Sequence, residues 1–270
     1  MPALIFCARA STLVIALASG ALLSLKTAGA EPVTVRYSEG LMHGFLELQS
    51  LAGKNLAWGE TTQVARGNRV TNRMTFHFTD GSVYDETATF SQSGTFRLIS
   101  DHRIQKGPAF KQSSNTTVDA ATGEVTVRYT DKDGREKIRT ERLELPPDLA
   151  NGLILTLLKD IPPTAPRTTL SMLATTPKPR LVTLEVTPHG ADPFSVGNIQ
   201  RRATHYAVKV KVGGIAGVIA PLVGKQPPDI HVWVVDGGAP GFVKFEGALE
   251  ENGPIWRIRM APPAVFERGR

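Results

Sequence analysis

Few residues in this chain have the type and spacing to do chemistry. The run from Gly213-Gly214-Ile215-Ala216-Gly217 to Gly224-Lys225 carries the residue types of a phosphate loop. A phosphate loop needs Gly-x4-Gly-Lys-Ser/Thr, so that backbone amides wrap the phosphate and a hydroxyl holds Mg²⁺. Here Ile219 stands where the first glycine belongs and Gln226 where the hydroxyl belongs. The run reads instead as a glycine-containing bend in a sheet. The loop that follows, Gly224-Lys-Gln-Pro-Pro-Asp229, sets Lys225 and Asp229 in a stiff Pro-Pro frame. Loops on rigid scaffolds often carry function, and Pro and Gly are also ordinary turn residues.

The six histidines are His43, His77, His102, His189, His205 and His231. None forms His-x-x-x-His or His-Glu-x-x-His, so no helix turn offers paired zinc ligands, and no metal site is assigned. His231 shares a strand face with Trp233, and both join Lys225 and Asp229 as loop-region candidates. No serine sits in a Gly-x-Ser-x-Gly elbow. Carboxylate pairs such as Glu250-Glu251 fall in turns, where they read as exposed charge. No catalytic residue is assigned, and no motif calls for a cofactor.

The start of the chain has a different character. Arg9 precedes an apolar run from Ala10 to Leu25, and Ala28-Gly29-Ala30 follows. Charge, apolar core and small-residue exit in that order make a secretory signal. The run is shorter than the ~20 residues that span hydrocarbon. Residues 1–30 are therefore expected to be cleaved near Ala30, leaving 31–270 periplasmic or secreted. The single cysteine, Cys7, lies within the signal, so the mature chain is cysteine-free. It is long enough to bury a core without disulfides.

The whole chain carries 31 Lys and Arg against 25 Asp and Glu. The basic residues are scattered, as at Arg66, Arg69 and Arg73, then Arg201 and Arg202. Nucleic-acid binding requires a clustered basic face, so that class is set aside. No second stretch approaches transmembrane length, and the mature chain is expected to lack a membrane span.

The elements that would position any site are strands. Met74, Phe76 and Phe78 alternate with Thr75 and His77. Val125, Val127 and Tyr129 alternate with Thr126 and Arg128, and Tyr206, Val208, Val210 and Val212 with Lys209 and Lys211. Period-two patterning marks half-buried strands. Asp80-Gly81, Asp133-Gly134 and Glu251-Asn252-Gly253 supply turns between them. This predicts about a dozen strands in a large antiparallel meander, open or partly closed as a barrel.

One segment departs from alternation. After Pro146-Pro147-Asp148, the apolar residues Leu149, Leu153, Ile154, Leu157, Leu158 and Ile161 recur at three and four. This predicts one short amphipathic helix over 147–161, ended by Pro162-Pro163. The helix divides a single β domain into lobes of about 31–145 and 168–270.

The stretch His231-Val-Trp-Val-Val-Asp-Gly-Gly-Ala-Pro-Gly-Phe-Val-Lys-Phe-Glu-Gly247 is a strand, turn and strand. It resembles the closing hairpin of the uncharacterised periplasmic DUF3108-like proteins. An exported meander with a helix over one face also resembles the wider LolA-like half-barrel architecture. That resemblance implies a curved sheet holding acyl chains in its concavity.

The function expected is binding or carriage of an apolar or lipid-like ligand in a curved sheet. Phe76, Phe78, Leu153, Leu157, Tyr206 and Val208 are the residues expected to line it, and the same residues would equally build an ordinary core. Two other readings stand beside it. One is a cell-envelope hydrolase acting on a glycan or ester. The other is a non-enzymatic assembly factor with an envelope protein as partner.

Overall fold

The computed structural model describes residues 31–131, 133–175, 178–196, 199–211 and 227–262. The signal segment, the Gly213–Gly224 run and Lys225 lie outside the described residues. The first half contains β1 (Met42–Ser50), β2 (Asn55–Arg66), β3 (Arg69–Phe78), β4 (Val83–Ser93), β5 (Thr95–Lys106), β6 (Ser114–Asp119), β7 (Glu124–Thr130) and β8 (Glu136–Arg142). A helix, α1 (Ile154–Asp160), follows. The second half contains β9 (Thr168–Ala174), β10 (Arg180–Val196), β11 (Ile199–Lys211), β12 (Ile230–Val235), β13 (Gly241–Gly247) and β14 (Trp256–Ala261).

All fourteen strands form one antiparallel sheet, and every neighbouring pair but one is consecutive in sequence. The exception is central: β14 returns to pair with β1, with Leu48 opposite Ile258. The sheet edges are β8 and β9, and these do not pair, so the barrel is not closed. The linker 143–167 joins these two edges.

Sequence chemistry explains the hairpins. Arg66 pairs with Arg69 across the two-residue turn Gly67-Asn68. At the next hairpin the Asp80 carboxylate accepts the Ser82 amide at 2.9 Å, an Asx-turn. The concave side then collects one core in which Leu46, Leu48, Phe76, Phe90, Leu158, Leu170, Leu184, Tyr206 and Ile258 are buried. Its aromatic base is Phe78, Phe110 and Trp256, with ring centres 5.3–5.9 Å apart.

The helix is shorter than the periodicity predicts. Leu149 makes a parallel bridge with Ser171, and the Ala150 amide donates to the Ser171 carbonyl at 2.8 Å. The buried Asn151 side chain completes this pairing. It accepts from the Leu173 amide at 2.7 Å and donates to the Leu173 carbonyl at 2.9 Å. The backbone at 149–151 thus satisfies the free edge of β9 and is not available to a helix. Gly152 then turns the chain with φ +63, and α1 begins only at Ile154.

Polar struts hold the curvature. The Arg103 guanidinium donates to the Thr175 hydroxyl at 3.0 Å, just past β9. Gln105 donates to the Leu249 carbonyl at 2.7 Å. The Tyr206 hydroxyl donates to the Ile161 carbonyl at 2.6 Å, fixing the end of α1 on β11. Residues 33–40 form a strap over the concavity. Asp160 accepts the Arg36 and Tyr37 amides at 2.6 and 2.8 Å, and Gln92 holds both the amide and the carbonyl of Glu39.

Candidate functional site: a cavity with one polar wall

Between the concave sheet, the helix and the strap lies a cavity of about 720 Å³. This is within the roughly 300–1,000 Å³ of small-molecule sites. Its two sides differ. The first half of the sheet supplies Thr61 and Gln63 of β2, Asn72 of β3, Tyr84 and Glu86 of β4, and Arg103 of β5. The second half and the helix supply Leu155, Met172, Leu184, Phe242, Phe245 and Ile258. Leu41, Met42 and Met260 belong to the wall and are also exposed, which places the mouth beside β1 and β14.

A bulge brings Arg103 into the polar wall. Phe90 pairs with Leu98 and Thr89 with Ser100, so Ile99 is the extra residue in β5. An extra residue reverses the side-chain phase of a strand. Simple alternation from Phe96 and Leu98 would send Ser100, His102 and Ile104 inward. Instead Asp101, Arg103 and Gln105 continue the inner face, and His102 is exposed. Across the β4–β5 pair, Glu86 stands directly opposite Arg103 and Ala88 opposite Asp101.

The electrostatics of this wall are tightly coupled. The Tyr84 hydroxyl donates to Glu86 at 2.9 Å. Burial works to lower the Arg103 pKa, but Tyr84, Glu86, Asp101 and Glu250 together hold it above the ordinary arginine value. Burial pushes the Asp101 carboxyl up to about 8, with Glu86 adding to the rise and Arg103 opposing it. Burial thus favours the uncharged form of this carboxyl. It lies under the linker, where a side chain on Gly152 would come within 3.2 Å of Asp101 Oδ1. Farther along the cavity, Lys159 and Glu39 form a buried ion pair, and Gln63 donates to the same carboxylate at 2.6 Å.

The residues expected to line a pocket have other places. Phe76, Phe78, Leu153, Leu157 and Val208 are buried in the packed core, and none is part of the cavity wall. Phe76 lies over Gly59, its cross-strand partner, where any Cβ would strike the ring at 2.5 Å. That close approach draws Phe76 into the base of the core. Met74, two residues earlier on the same face, does reach the cavity. Tyr206 borders a second, smaller cavity with Val234 and Asp236. The helix contributes its other side to the wall, through Ile154, Leu155, Thr156 and Lys159.

Of the loop-region residues, Asp229 is exposed just before β12. His231 and Trp233 lie on the convex face, away from the cavity. There strand register builds a row: Lys244 opposite Trp233, and Trp233 opposite His205. The Lys244 ammonium sits 3.5 Å from the Trp233 ring centre, and the His205 ring stacks on that indole at 4.4 Å. Trp233 donates to Asp192 at 2.8 Å. His205 and His231 share a 2.9 Å nitrogen–nitrogen hydrogen bond, which requires one lone pair and hence one neutral ring. Burial, and then His231, hold the His205 pKa below the ordinary histidine value. Among the described residues, no three His, Cys, Asp or Glu side chains converge as a metal site. Nothing in the spacing of the histidines foretells this row, because four strands must pair before it exists.

The chain matches no family model. It also matches no curated protein. Among solved structures it is similar to the crystal structure of a β-barrel-like protein of domain of unknown function DUF1849 from Brucella abortus. That similarity has 8% identity and a TM-score of 0.44, and covers 86% of this chain and 98% of the other. Among the described residues, no helix is long and apolar enough to cross a membrane.

Proposed function

We propose that this chain is an exported binding protein that holds an amphipathic, lipid-like ligand between its curved sheet and its helix. The observation that carries the reading is the cavity itself. Close packing leaves few voids larger than a water molecule in an ordinary core. A space of about 720 Å³ with an apolar wall, a polar wall and an apolar mouth is built to be filled. Export rests on the pattern of residues 1–30.

Binding fits the wall better than hydrolysis does. No histidine is among the described wall residues. Of the wall carboxylates, Glu39 is paired with Lys159, and Glu86 already accepts the Tyr84 hydroxyl. Glycoside chemistry needs two carboxyls facing one cleft, and Asp101 is covered by the Gly152 turn.

The test is titration with a fluorescent fatty-acid analogue. The wild-type chain is expected to give saturable binding at one site. Leu155→Trp, which places a larger side chain in the cavity, is expected to weaken it at least tenfold while leaving the thermal midpoint within a few degrees. Equal binding by both chains would place the probe elsewhere and overturn the proposal.

A further inference from the structure

We infer that the head group read by the polar wall is uncharged and polyhydroxylated, as in a glycosyl or glyceryl amphiphile. This rests on the cavity reading above and adds the chemistry of the ligand's polar end.

The inference comes from what the wall has left to offer. The Thr61 hydroxyl donates to Asn72 Oδ1 at 3.3 Å, which leaves the Asn72 NH₂ as a donor. Gln63 spends one N–H on Glu39, which leaves its other N–H as a donor and Oε1 as an acceptor. Tyr84 spends its proton on Glu86, so the phenol oxygen and the second Glu86 oxygen remain as acceptors. Arg103 uses one arm on Thr175, and its Nε–H is buried without a partner among the described residues. The wall therefore offers both donors and acceptors. A hydroxyl both donates and accepts, so a row of hydroxyls matches them all. A carboxylate or phosphate only accepts and an ammonium only donates, so each would leave wall groups of the other kind unpaired.

Charge points the same way. Two of the wall cations are already opposed, Lys159 by Glu39 and Arg103 by the Glu86 directly across the strand pair, while the third, Arg36, is exposed in the strap and donates to the Asp160 carbonyl. Glu250 also acts on Arg103 from the second half of the sheet. An anionic head group would add a further negative charge to a guanidinium that is already compensated. An ammonium would face Arg103 without hydration. Desolvating either ion costs far more than burying a hydrogen-bonded hydroxyl.

The test uses five amphiphiles of one chain length, each below its micelle concentration: dodecyl maltoside, monolauroylglycerol, laurate, dodecyl phosphate and dodecylammonium. Isothermal titration of the purified chain is expected to show at least one nonionic probe binding tenfold or more tightly than all three ions. The maltoside and monoglyceride arms tell a sugar head from a glycerol head. Arg103→Gln and Asn72→Ala are each expected to erase most of that preference, with unchanged circular dichroism marking the variants that fold. Ionic probes that bind as tightly as the nonionic ones would overturn the head-group inference and leave the cavity reading standing. Absence of saturable binding by all five would overturn both.

Discussion

Asp101 is the residue whose ionisation most directly reports the inner wall. Burial holds its folded pKa at about 8, whereas a carboxyl in an unfolded chain titrates near about 3.9. Between those values the unfolded chain releases a proton that the folded chain keeps. Stability contributed at this site therefore falls as pH rises from about 4 to 8 and levels off above that. Asn has the shape of the uncharged acid. Asp101→Asn is thus expected to raise the thermal midpoint little near pH 4 and increasingly toward pH 8, as read by calorimetry across pH. A difference that stays constant with pH would show Asp101 to be ionised in the fold. The sequence hides this residue. Alternation through Phe96 and Leu98 predicts inward places for Ser100, His102 and Ile104, and only the pairing of β4 with β5 reveals Ile99 as the extra residue. The buried aliphatics and aromatics were legible, because apolar side chains at period two have one plausible face. The polar wall was not, because inward polar residues carry the same pattern as solvent-facing ones.

At the scale of elements, the linker matters more than its helix. Seven residues of α1 are too few to be stable alone. The pairing of 149–151 with β9 and the strap's bonds to Asp160 hold it in place. Asn151→Ala would leave the buried amide and carbonyl of Leu173 without their partners. Each such loss costs about 1–3 kcal/mol, so the variant is expected to unfold at lower denaturant with faster hydrogen exchange at Leu173. Unchanged exchange there would show that β9 needs no cover. Gly152→Ala is a harsher change at the same turn. It asks a Cβ-bearing residue to hold φ +63 and puts that Cβ 2.5 Å from Ala88. Strained positive φ alone costs about 1–3 kcal/mol. The three-and-four spacing made this helix visible in the sequence. Its late start was not visible, since the side chain that ends the strand-like pairing, Asn151, finds its partner 22 residues away.

For the whole molecule, the essential feature is one sheet whose two halves meet at β1 and β14 while its edges stay apart. The sheet's polar wall groups come from the first half, and the second half adds mostly apolar ones, so the space between them is amphipathic. Fourteen strands are present among the described residues, and an antiparallel meander of about a dozen followed from alternation and turn chemistry. The return of β14 to β1 did not, because a pairing between distant strands leaves no local mark in either. A binding protein of this kind holds its ligand in that space when it is made in cells. Native mass spectrometry of the chain purified without detergent from a membrane-bearing cell compartment tests this most directly, with Leu155→Trp prepared alongside. A discrete added mass is expected on the wild-type chain, extracting into organic solvent and absent from the variant. A bare mass on both chains, with nothing in the extract, would contradict the binding reading.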